Sequence, residues 1–227
     1  MDWGGAITVY HGSCVVLAHP HVGGGKRHND YGPGLYCTEG IDLAREWACA
    51  DIGGGYANRY SLDTGGLEKL DLADRGVSVL AWLALLMKNR WFAPASPMEE
   101  RGIRYLLETF APDTSQADVV YGWRADDSYF SFARAFVRNT ISVAQLERAM
   151  RLGNLKEQVF IKSKRALDHL AFEGAERVDG STWYPRRMQR DAQARSAFKS
   201  MASEDDLEGV FLRDMIRKGL DPDDALL

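Results

Sequence analysis

Two short stretches near the N-terminus hold the residue types best suited to chemistry. The run Thr8-Val9-Tyr10 ends in His11-Gly12-Ser13, and about two dozen residues later Asn29 to Tyr36 reads Asn-Asp-Tyr-Gly-Pro-Gly-Leu-Tyr. An imidazole at the tip of a strand can accept or donate a hydrogen bond near neutral pH. A glycine beside it, lacking a Cβ, lets the backbone come close to a ligand. A tyrosine on a neighbouring strand offers a face on which a planar, positively charged ring can stack. Taken singly, a histidine after a strand is more often a cap or core residue, and a tyrosine in a strand more often core. Their order and closeness in the chain raise the functional reading above that background.

The elements that must position them are readable from periodicity. Ala6 to Tyr10 is apolar and β-branched, which predicts a buried strand. Gly32 and Gly34 bracket Pro33 as turn punctuation, and Leu35-Tyr36-Cys37-Thr38 reads as a second short strand. Thr38 is placed to cap a helix whose packed face is Ile41, Ala44, Trp47 and Ala48. Further on, strands are expected at 55–63, 67–72, 119–123 and 156–163, with one more within 171–179. The apolar run Val77 to Met87 is too short to span a bilayer and reads as a buried helix at 76–90. Ser96-Pro97-Met98-Glu99 predicts a helix start with a capping box, as does Ser142 with Gln145, whose helix should stop at Gly153. A helix is expected over 126–139, and a final helix with Leu207, Val210, Phe211, Met215 and Ile216 on one face. Strands and helices intermix without βαβ alternation, so the fold class is α+β.

Composition excludes several classes. The 227 residues are 45% hydrophobic and 26% charged, as in a globular chain with one full core. A formal net charge of -4 gives no global basic footprint for nucleic acid. Local basic groups (Lys162, Lys164, Arg165; Arg186, Arg187, Arg190) read as solvated helix faces. Cys14, Cys37 and Cys49 are an odd count in apparently buried surroundings. The start Met1-Asp2-Trp3-Gly4-Gly5 lacks a signal-peptide pattern, so reduced thiols and a cytoplasmic location are expected. No ligand spacing points to a metal, and no segment points to a membrane partner. His21 to His28 (HVGGGKRH) lacks the spacing of a phosphate-binding loop and reads as a loop over a cleft.

The motifs YHGS, GPGLY and DLAREWA, in that order, resemble the NAD-binding half of the poly(ADP-ribose) polymerase and diphtheria-toxin-like transferases. Those proteins carry a His-Gly-Ser/Thr strand, a Gly-x-Gly-x-Tyr turn and a small Ala-bearing helix. With ADVVYGWRADD and SKRAL later in the chain, the likeness is to a little-characterised bacterial family of ADP-ribosyltransferase-like proteins, over roughly residues 6 to 172. The resemblance implies a split β-sheet core with surrounding helices in residues 1–180; the polar, helical pattern of residues 181–227 reads as a C-terminal extension to it. That extension either docks on the core or offers its apolar face to a partner.

It also implies an activity: mono-ADP-ribosyl transfer, with NAD as substrate and no metal. NAD would be cleaved at the nicotinamide–ribose bond and ADP-ribose passed to a macromolecule, a protein before a nucleic acid. Members look like small cytosolic toxins or effectors, for which a neutralising partner protein is expected. His11 would bond the adenosine ribose and Gly12 main-chain groups the carboxamide. Tyr36 would stack on nicotinamide, with Ser13, Gly34 and Trp47 completing the NAD-binding set. The family's late glutamate aligns with Gln158, not Glu157. Gln158 would keep hydrogen bonds to the ribose 2′-hydroxyl but supply no charge. Asp126, Asp127 or Glu157 are the candidates for the missing charge, Asp126 and Asp127 being equally suited to capping a helix. A weakly catalytic NAD- or ADP-ribose-binding module, or an NAD glycohydrolase, is the alternative.

Overall fold

The apolar, β-branched run predicted as a buried strand forms β1, Ala6–Ser13, of which only Val9 is buried, because it is the edge strand of its sheet; it pairs antiparallel with Gly55–Asp63, β3. In the computed structural model, which describes residues 4–24, 28–125, 127–152 and 157–226, these two strands begin a three-stranded antiparallel sheet. Its order is β1-β3-β7, where β7 is Leu170–Val178. The second sheet has the order β2-β6-β5-β4, from Leu35–Cys37 (β2), Gln158–Ile161 (β6), Val119–Gly122 (β5) and Lys69–Asp71 (β4). The β2–β6 and β6–β5 pairs are antiparallel and β5–β4 is parallel. Two sheets and segregated helices make the chain α+β, as the sequence predicts.

Among the described residues the sheets touch edge to edge at one bridge, between Tyr10 and Thr38, which exchange both main-chain hydrogen bonds at 2.7 and 2.9 Å. A shared apolar layer joins them: Val9, Tyr60 and Leu62 from the first meet Leu35, Cys37, Val159 and Ile161 from the second. Burying such side chains supplies roughly 1.5–3 kcal/mol each, enough to fix the register of both sheets. The opposite face of the second sheet carries Tyr36, Phe160 and Val120 into the larger core, built around Val79–Asn89, α2. Trp82, Leu83 and Leu86 of α2 are fully buried, and Ser78 caps it through the Leu80 amide.

The helix after β2, α1, spans Ile41–Ala48 and starts from Gly40. Thr38 does not cap it; its hydroxyl instead accepts from the Gly40 amide at 3.2 Å, because the bridge to Tyr10 holds Thr38 in the sheet two residues before the N-cap. Pro97–Thr109 (α3) is capped by Ser96, but the Glu99 carboxylate reaches the Ala95 amide, so the reciprocal box is displaced by one residue. Asp127–Val137 (α4) carries the buried stripe Tyr129, Phe132 and Phe136, and Val143–Met150 (α5) has the full Ser142–Gln145 box. Gly153 lies outside the described residues. The short helix Lys164–Asp168 (α6) follows β6.

The C-terminal segment docks on the core. Gly180–Ala202 (α7) buries Ala194 and Met201, and Leu212–Lys218 (α8) buries Leu212 and Met215. The last helix is shorter than its apolar pattern predicts: Leu207 is exposed in a turn, because Asp206 there hydrogen-bonds back to Ser142. Cys14 is exposed, against expectation, since β1 leaves the sheet just before it. No helix among the described residues is long and apolar enough to cross a membrane.

Candidate functional site

His11 stands at the end of β1 where the two sheets diverge. Its Nδ1 lies 2.7 Å from the carbonyl oxygen of Tyr36. A carbonyl only accepts, so Nδ1 carries the proton and Nε2 is left as an acceptor in the neutral ring. Burial holds the imidazole pKa below its ordinary value, outweighing the opposite pull of the Tyr36 carbonyl. His11 therefore stays neutral at pH 7, with one nitrogen fixed and the other able to accept. It borders a small hollow of about 80 Å³ together with Leu17, Pro20, His21, Gly24 and Gly34. The loop expected over the cleft thus lines it through His21 and Gly24; Gly25, Lys26 and Arg27 lie outside the described residues.

Gly12 is needed for a reason the sequence does not reveal. A Cβ there would lie 2.1 Å from the Ala44 carbonyl oxygen, 2.6 Å from the Ala48 nitrogen and 2.7 Å from the Trp47 Cβ. The missing side chain makes room for α1, not for a ligand. The main chain of Gly12 is another matter. Tyr10 directs its N–H and C=O to β2, so alternation along the strand turns those of Gly12 to the same edge, where β2 has already turned away. Gly34 has a similar packing role: a Cβ would come within 2.3 Å of the Phe160 ring and 2.7 Å of the Ile161 oxygen. The Ser13 hydroxyl donates to the Val15 carbonyl at 2.5 Å and accepts from Asn58 Nδ2. Buried Asn58 also donates to the His11 oxygen and accepts from the Leu17 amide, so it shapes the turn leaving β1. Its polar type inside an otherwise alternating strand was the only sequence sign of this.

Tyr36 is tied at both ends. Its hydroxyl donates to the Gly32 carbonyl at 2.7 Å and accepts from the Tyr31 amide at 2.9 Å. Its ring packs on Phe160 with centroids 4.7 Å apart and stacks near Tyr31 at 6.4 Å. Burial pushes its phenol pKa far up, so it titrates in no ordinary range. Gly32 has φ +97°, a conformation that glycine adopts without strain, and this is what folds the 28–34 segment back over Tyr36.

Beneath that segment lies a buried polar cluster that sequence reading missed. The Asp30 carboxylate accepts from the Ala125 amide (2.9 Å), Gln158 Nε2 (3.2 Å) and Arg90 Nη1 (3.2 Å). Burial raises its pKa, opposed by the Ala125 amide, the Arg90 charge and the Gln158 amide. Gln158 also donates to the Trp123 carbonyl at 3.1 Å, which fixes its amide nitrogen on that side, since both partners only accept. Gln158 is therefore buried and engaged, not open to a ribose hydroxyl as its alignment implied. Glu157, one residue earlier, points elsewhere: it accepts from the Tyr121 hydroxyl at 3.2 Å and lines a cleft of about 170 Å³ with Asp74, Arg75, Trp123, Glu147 and Arg151. Gln158 and Glu157 thus occupy opposite faces at the start of one strand. Asp126 lies outside the described residues, and Asp127 opens α4.

The final aromatic of the set is Trp47, partly exposed on α1. The Arg124 guanidinium lies over its ring at 4.4 Å, and its indole Nε1 is buried without an acceptor among the described residues. A strip of neighbouring residues runs from Gly12 to Trp47, to Arg124 and to Trp123, whose carbonyl bonds Gln158 and which lines the Glu157 cleft, a hollow apart from the one His11 borders. Helix α7 supports it from behind: Arg190 pairs with Glu46 at 2.7 Å and Arg187 donates to the Cys49 carbonyl.

No curated protein and no solved structure matches the chain. One family does, over residues 7–172, which takes in every described residue of the site. On that match the chain belongs to the family described as protein of unknown function DUF3990.

Proposed function

We propose that this chain is a mono-ADP-ribosyltransferase that cleaves NAD at the nicotinamide–ribose bond and passes ADP-ribose to a macromolecular acceptor, a protein before a nucleic acid, on an ADP-ribosyltransferase-like split-sheet fold. The observation that carries this reading is the His11–Gly12 pair at the divergence of two sheets, with an imidazole fixed on the Tyr36 carbonyl and a glycine edge left open beside it. In this reading the N–H and C=O of Gly12 take the carboxamide, and His11 Nε2 accepts from a ribose hydroxyl. Trp47 offers the more accessible aromatic face, while Tyr36 holds His11 through its carbonyl. As the glycosidic bond breaks, its electron pair neutralises the nicotinamide ring and positive charge develops on the ribose. Glu157 is the carboxylate at the strand start that can stabilise that charge and take the acceptor's proton. A toxin or effector role, with a neutralising partner and a cytoplasmic site of action, belongs to the same proposal.

A second reading is a weakly catalytic NAD- or ADP-ribose-binding module. The committed amide of Gln158, which leaves no charge at its position, favours it. Incubation of the purified chain with NAD separates the readings. Nicotinamide release with label on a macromolecule is expected of a transferase, and release without label marks a glycohydrolase. Binding without release marks the module, and neither binding nor release would remove NAD from the account altogether.

A further inference from the structure

We infer that Arg124 is an internal occupant of the ring-binding face of Trp47, and that a planar ligand ring enters only by displacing its guanidinium. The inference rests on the NAD reading above and deepens it.

Three observations on different atoms converge. The guanidinium carbon lies over the indole at 4.4 Å from its centroid, the place and charge type that a cationic aromatic ring would take. The edge of the same indole carries a buried N–H without an acceptor among the described residues. A buried donor left in that state is costly, and a ligand bearing a carbonyl next to its ring would satisfy it. Finally, Trp47 is held against β1 at Gly12, where a Cβ would meet the Trp47 Cβ at 2.7 Å, so the platform itself is fixed.

The backbone around Arg124 decides how the face can open. On one side, the Trp123 carbonyl receives the Tyr31 hydroxyl (2.5 Å), Trp82 Nε1 (2.8 Å) and Gln158 Nε2 (3.1 Å). On the other, the Ala125 amide donates to Asp30 and its carbonyl accepts from Arg90 Nη1 at 2.5 Å. The main chain is pinned immediately before and after Arg124. Opening is therefore a movement of the Arg124 side chain and not of the loop that carries it.

Titration calorimetry with NAD and with ADP-ribose, which lacks the nicotinamide ring, tests this on the wild type and on Arg124→Ala and Arg124→Gln. The glutamine variant keeps the aliphatic stem and guards against loss of fold in the alanine variant; melting temperatures verify both. Removing a stacked cation should tighten NAD by about two- to thirty-fold, the range of a cation–π contact, and leave ADP-ribose unchanged. Unchanged NAD affinity, or weakening of NAD and ADP-ribose together, would overturn the inference while leaving the NAD reading intact. The latter result would mark Arg124 as a contact to the pyrophosphate. If the wild type binds neither ligand, the NAD reading falls and takes this inference with it.

Discussion

His11 and Tyr36, 25 residues apart, meet through the main chain: the imidazole Nδ1–H donates to the Tyr36 carbonyl at 2.7 Å. The contact joins the C-terminal part of β1 to β2, one residue beyond the Tyr10–Thr38 bridge between the sheets. It sets the tautomer of His11 and orients the ring through an uncharged carbonyl, leaving Nε2 of the neutral ring as an acceptor.

That arrangement predicts a pH dependence. Burial lowers the folded-state pKa of His11 below the ordinary imidazole value of about 6.5. Between those two values the unfolded chain binds the proton and the folded chain does not, so stability falls as the solution is acidified below about pH 6.5. Chemical denaturation at pH 7.5 and 5.5 should show a smaller loss in His11→Asn than in the wild type. Equal losses would place the acid sensitivity elsewhere.

Gly12→Ala should damage the fold before it damages any ligand contact. The new methyl meets main-chain atoms of α1 at 2.1 and 2.6 Å, and backbone cannot step aside as a side-chain tip can. A destabilisation of about 3 kcal/mol, at the upper end of overpacking costs, is expected in urea melts. A wild-type melt would mean that α1 shifts freely on β1.

Asp30 is expected to be the most costly polar residue of the N-terminal half. Asp30→Ala removes the acceptor for the Ala125 amide, Gln158 and Arg90 at one stroke, leaving a largely buried cation without its partner. Breaking such a pair costs roughly 3–5 kcal/mol. The 28–34 segment would also lose its anchor, so backbone amides at Tyr31 and Gly32 should exchange faster with solvent. Protection unchanged at those amides would separate Asp30 from the placement of Tyr36.

Gln158→Glu bears on the missing charge. A carboxylate there would face Asp30 and the Trp123 carbonyl, both acceptors, in a buried site. The variant should be destabilised by about 2–4 kcal/mol at pH 7, and less so near pH 5 as one carboxyl takes up a proton. Glu157→Gln, on the open cleft, should melt like the wild type and slow nicotinamide release. If instead Gln158→Glu is stable and faster, the amide is not committed as its contacts indicate.

Truncation after Gly180 should abolish cooperative folding. It strips Ala194, Met201, Leu212 and Met215 from the main core and the Arg190–Glu46 pair from the back of α1. A soluble, cooperatively melting fragment would show that residues 181–227 are an accessory after all.

The sequence alone determined the elements and the neighbourhood of the site. The apolar run of α2, the β-branched run of β1, the half-buried pattern of β3 and the Ser142–Gln145 cap were legible because burial patterning and capping are local, each set by residues close together in the chain. The motif around His11, Gly12 and Tyr36 was legible for the same reason. What those residues touch was decided only by the tertiary structure. Asp30 finds Arg90 and Gln158 across 60 and 128 residues, and the space that Gly12 leaves is filled by α1. Arg124, in the loop after β5, reaches the face of Trp47 on α1. A buried polar group must have a partner, and its own residue type says so; which partner it gets depends on how distant strands register and close their loops, and no local pattern carries that information.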